Sequence, residues 1–60
     1  MKFERGNIYS IDYGNITKAA TFVSSEDGLN LFFDINGEFA LTDSFIAKGA
    51  IAITELDTDF

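Results

Sequence analysis

Turn-forming residues recur along this chain at intervals too short for anything longer than a strand or a brief helix. They fall at Gly6, Gly14-Asn15, Glu26-Asp27-Gly28, Asn36-Gly37 and Gly49, and proline is absent. The chain has 60 residues with neither cysteine nor histidine, so disulfides and the usual zinc sets cannot hold it together. A chain of this size buries only about 60% of the surface its unfolded form exposes. Its core supplies roughly 3–5 kcal/mol. Stability must come from the 47% of residues that are hydrophobic, seven Phe and two Tyr among them. That composition predicts a single folded domain over residues 1–60 rather than disorder.

The stretch LFFDINGEFAL, Leu31 to Leu41, reads as a hairpin. A loop of Ile35-Asn36-Gly37, a type I turn with Gly37 in the left-handed bulge position, pairs Phe33 with Phe39 and Leu31 with Leu41. Leu29 joins them on one face. Asn30, Phe32, Asp34, Glu38, Ala40 and Thr42 take the other. A slip of one residue would undo this sorting, so the pattern selects the register. It predicts Phe32 outward, an aromatic ringed by polar groups in the manner of an interface anchor. It also sets Asp34 across from Glu38, a mildly repulsive pairing.

The segment NIYSIDYGNITKAATFV admits two readings. A hairpin about Gly14-Asn15 puts Tyr9, Ile11, Tyr13, Ile16, Ala20 and Phe22 on one face, with Lys18 as the exception. A helix over residues 16–25, capped by Asn15, sorts Ile16, Ala19, Ala20 and Val23 onto one stripe. Thr17, Thr21, Phe22 and Val23 favour the strand. TDSFIAKG reads as one helical turn near residues 43–48, started by Asp43 and left through Gly49. AIAIT then makes a short last strand. The expected fold is all-β, five short antiparallel strands with one helical turn before the fifth. The alternative is α+β, an antiparallel sheet with a helix at about 16–25.

Over residues 6–56 this layout resembles small SH3-like barrels, which implies a closed five-stranded barrel. IDYGN, residues 11–15, resembles a stretch common in Tudor domains. That resemblance implies a recognition module in which Tyr9 and Tyr13 grip a methylated cation.

Charge divides unevenly. Lys2, Arg5 and Lys18 against Glu4 and Asp12 leave residues 1–25 at +1. Lys48 against Glu26, Asp27, Asp34, Glu38, Asp43, Glu55, Asp57 and Asp59 leaves residues 26–60 at −7, for a total of −6. Such a chain lacks the basic face that nucleic acid requires, and its expected partner is a basic protein surface, of the kind with which a nucleic-acid-binding protein holds DNA or RNA. The tail ELDTDF sets Glu55, Asp57 and Asp59 at alternate positions, about 6.6 Å apart when extended, a spacing that can imitate a phosphate backbone. Ile51 and Ile53 share the parity of these acids, so the last strand must end, bulge or peel away near Thr54. The expected partner-binding residues are Phe32, Asp34, Glu38, Glu55, Asp57 and Asp59. In size, acidity and lack of motifs the chain resembles phage-encoded inhibitors of host defence, of anti-CRISPR or anti-restriction type. A small self-assembling subunit is a further possibility, as monomer or small homo-oligomer.

No catalytic motif is present, and an enzyme is not expected. Asp34, Asn36 and Glu38 cluster oxygens at a turn, but their spacing departs from a calcium loop, since Phe39 stands where its glycine belongs. No cofactor or metal is expected. No run is apolar enough to span a membrane and no signal peptide is visible, so a cytoplasmic location is expected.

Overall fold

The computed structural model describes residues 3–56. Five strands run in the order β1 (Ile8–Asp12), β2 (Thr17–Glu26), β3 (Leu29–Asp34), β4 (Gly37–Thr42) and β5 (Ala52–Glu55), with a short helix α1 (Asp43–Ala47) between the last two. They form one antiparallel sheet in the order β4-β3-β2-β1-β5. Residues 16–25 therefore contain strand, not helix. The expected barrel does not form. β4 and β5 stand at opposite edges of an open sheet, and side chains rather than a closing strand pair cover the concave face. Phe3 does much of this, with ring centroids 5.1 Å from Tyr9 and 5.3 Å from both Phe22 and Phe32. Ile51 and Leu41 complete the core with Ile11 and Ala20.

Each hairpin closes through local chemistry. The Asp12 carboxylate accepts a hydrogen bond from the Gly14 amide, and Gly14 takes φ +99°. The β2–β3 turn is Asp27-Gly28, with φ +53° and +80°. Positive φ at both central residues is the type I′ condition that matches strand twist. At Val23 a bulge interrupts β2, so that Phe22 faces Phe32 while Ser24 faces Leu31. Here the N-terminal segment docks: the Gly6 amide donates to Phe22 O, Asn7 O accepts from the Phe22 amide, and Arg5 Nε donates to Val23 O. The bulge bends the strand and curls the sheet around Phe3.

The β3–β4 register differs by one residue from the expected one. Phe32 faces Phe39, Phe33 faces Glu38, and Asp34 faces Gly37 around a two-residue Ile35-Asn36 loop. Gly37 takes φ +119° but pairs with Asp34 instead of forming a bulge. Phe32 is consequently interior, with 0% exposure, while Leu29 and Phe33 are 48% and 52% exposed. The expectation of an outward Phe32 fails because an apolar count misjudges Asn30. This side chain is buried on the same face, yet fully partnered. Its Nδ2 donates to Leu41 O at 2.9 Å and to Asp43 Oδ1 at 2.8 Å, while Ser25 Oγ donates to its Oδ1. A buried amide so satisfied costs little, and Phe32 gains the core.

The helix start also differs in detail. Thr42 Oγ1, not Asp43, accepts from the Phe45 amide at 3.0 Å. Asp43 serves Asn30 instead. Gly49 leaves the helix at φ +76°, as the sequence predicts.

Candidate interaction surface

The four expected site residues that fall among the described residues do not share one exposed surface. Phe32 is in the core. Asp34 turns to the inner side, where its Oδ2 lies 2.9 Å from Lys18 Nζ and its side chain is only 6% accessible. The Lys18 hydrogen bond holds the Asp34 carboxyl below its usual 3.8, helped by the Asn36 amide and opposed by desolvation. Glu38 is exposed across from Phe33, so the expected opposition of Asp34 and Glu38 does not occur. Glu55 is exposed at the end of β5, accepting from Asn7 Nδ2 at 3.2 Å. Asp57 and Asp59 lie outside the described residues.

The tyrosine pair does not form an open cage either. Tyr9 is buried, edge-on to Phe3, and its hydroxyl oxygen accepts from the Glu4 amide at 2.8 Å. A cation does sit against aromatic rings, but it belongs to the chain. Lys18 Nζ is 3.7 Å from the Phe39 ring centroid and 6.0 Å from that of Tyr13. Lys18 is on the inner face for a reason the alternation alone cannot show: it neutralises Asp34 and caps Phe39.

What the fold leaves outside is the convex face. Three cross-strand rows compose its centre. Ile8, Thr21, Phe33 and Glu38 form one, Ser24, Leu31 and Ala40 the second, and Glu26, Leu29 and Thr42 the third. Leu29, Leu31, Phe33 and Ala40 make a continuous apolar strip on β3 and β4, bounded by Glu26 and Asp27 at one end and Glu38 at the other. A shallow groove of ≈ 240 Å³ opens along it, lined by Ser24, Glu26, Asp27, Leu29, Leu31 and Ala40. The sequence carried a signal for this surface, since Leu29, Leu31 and Phe33 alternate. The same alternation predicts a buried face, and the structure gives the interior to Asn30 and Phe32 instead.

Among the described residues no cluster of three acidic, cysteine or histidine side chains could hold a metal ion, and no helix is long and apolar enough to cross a membrane. Comparison with protein families, with curated proteins and with solved structures finds no match to this chain.

Proposed function

We propose that this chain is a small recognition module that binds another protein through the convex face of its sheet. The observation that carries the reading is the exposure of Leu29 and Phe33, at 48% and 52%, on either side of Leu31. Burying one such side chain stabilises a protein by about 1.5–3 kcal/mol, a large fraction of what a core this small supplies. An apolar centre with a polar rim is the anatomy of a binding face. Photocrosslinking in cells of its source tests this. A photoreactive phenylalanine at Phe33 should give one discrete adduct, and the same group at Thr54, exposed on the far strand of the sheet, should give none. Equal adducts from both positions, or none from Phe33, contradict the reading.

Self-assembly is a second reading, favoured by the two unpaired edges. β4 and β5 are both free among the described residues, and a β4-to-β5 contact between copies would be head-to-tail, giving rings or filaments. Light scattering over rising concentration decides it, and a mass fixed at that of one chain rules it out. Imitation of a nucleic acid by the acids keeps fewer supports among the described residues. There Phe32 is interior and Asp34 is neutralised by Lys18, which leaves Glu38 and Glu55 as its exposed members.

A further inference from the structure

We infer that the groove on the convex face receives an extended partner segment in which apolar residues alternate with Lys or Arg. One apolar side chain would rest on Leu29, Leu31 and Ala40, and a neighbouring cation would meet Glu26 and Asp27. This rests on the recognition-module reading and names the chemistry of its partner.

Size favours one class of occupant. Small-molecule sites enclose about 300–1,000 Å³, more than the ≈ 240 Å³ of this open groove. A single large side chain fits the space better than a cofactor does.

Charge selects among protein occupants. Both charged residues lining the groove are acidic and none is basic. The strand residues of the convex face include no Lys or Arg, since Lys18 is turned inward onto Asp34. A second copy of the chain would therefore bring acids against acids. Glu26 and Asp27 attract a cationic segment, and opposite charge also speeds its encounter.

The acidic end is held in place by the fold. Asp27 occupies the left-handed position of the tight turn, and Gly28 O accepts from the Asp43 amide at 2.8 Å. Asp43 Oδ2 lies 3.8 Å from where a Cβ on Gly28 would stand, so a third carboxylate backs the turn and adds to its negative field.

The test is a titration of the isotope-labelled full chain, followed by amide signals, with two probes. One is a short peptide alternating leucine and lysine, and the other alternates leucine and glutamate. The basic peptide should shift Ser24, Glu26, Leu29, Leu31 and Ala40, and the acidic peptide should not. The double variant Glu26→Gln, Asp27→Asn should bind the basic peptide roughly fivefold to tenfold more weakly. Asn tolerates the left-handed conformation, so the turn survives the change. Equal binding of both peptides, silence at the groove, or shifts confined to Glu38 and Glu55 overturn the inference. Shifts at the groove that depend on protein concentration without peptide overturn it in favour of a second copy. If photocrosslinking from Phe33 succeeds while the charge discrimination fails, the inference alone falls. If both fail, the recognition reading falls with it.

Discussion

Lys18 Nζ lies 3.7 Å above the centre of the Phe39 ring, joining the start of β2 to the edge strand β4 across β3. The same ammonium is 2.9 Å from Asp34 Oδ2 at the end of β3. One side chain thus ties together three strands at the end of the sheet where the β3–β4 hairpin turns. Cation–ring attraction at a partly exposed site contributes about 0.5–1 kcal/mol.

A double-mutant cycle isolates that term. Lys18→Met and Phe39→Leu, alone and combined, should show a coupling of about 0.5–1 kcal/mol in urea denaturation. Strict additivity would mean that the ring and the ammonium are neighbours without consequence.

Acid weakens the same corner in a defined direction. The folded-state pKa of Asp34 lies below 3.8, so its ion pair contributes stability above the unfolded value. That contribution is lost as pH falls through the lowered folded value. Wild type should exceed Asp34→Asn in stability by a constant margin at neutral pH, and the margin should close below about pH 5. Thermal unfolding measured at a series of pH values reads this directly. A margin that grows on acidification would have the wrong sign.

Adjacent phenylalanines should respond very differently to truncation. Phe32→Ala removes a ring with no exposure, and such changes cost about 3–5 kcal/mol, enough to leave a domain of this size largely unfolded. Phe33→Ala removes a half-exposed ring from the convex face and should cost about 1 kcal/mol or less. Circular dichroism during thermal melts distinguishes the two.

Much of this architecture is readable from residue order. Turns at Gly14, Asp27-Gly28 and Ile35-Asn36 divide the strands at or within one residue of the sequence's turn signals, and Tyr9, Ile11, Ala20 and Phe22 share the inner face as alternation predicts. β3 is where alternation misleads. Leu29, Leu31 and Phe33 are more apolar than Asn30, Phe32 and Asp34, so the pattern favours the wrong face. The reversal depends on partners far along the chain: Leu41, Asp43 and Ser25 for Asn30, and Lys18 for Asp34. No local window contains them. Strand order did not decide closure either, because the concave face is filled by Phe3 from the N-terminal segment, outside the strand pattern.

Asn30 tests the physical reason for that reversal. Asn30→Leu adds an apolar group to a buried position, yet it should destabilise by about 1–3 kcal/mol. It leaves Leu41 O, Ser25 Oγ and the Asp43 carboxylate without their shared partner. A higher urea midpoint for this variant would show that the amide network is not what holds β3 in its register.

The inward orientation of Asn30 and Phe32 is the foundation of the proposed binding face, and ring-proton nuclear Overhauser contacts in the full chain measure it directly. Phe32 should show contacts to Phe3, Tyr9 and Phe22, whose ring centroids lie 5.3, 6.2 and 5.5 Å away, while Phe33 shows none of these. Finding Phe33 among those rings, with Phe32 in solvent, would contradict both the register and the convex surface built on it.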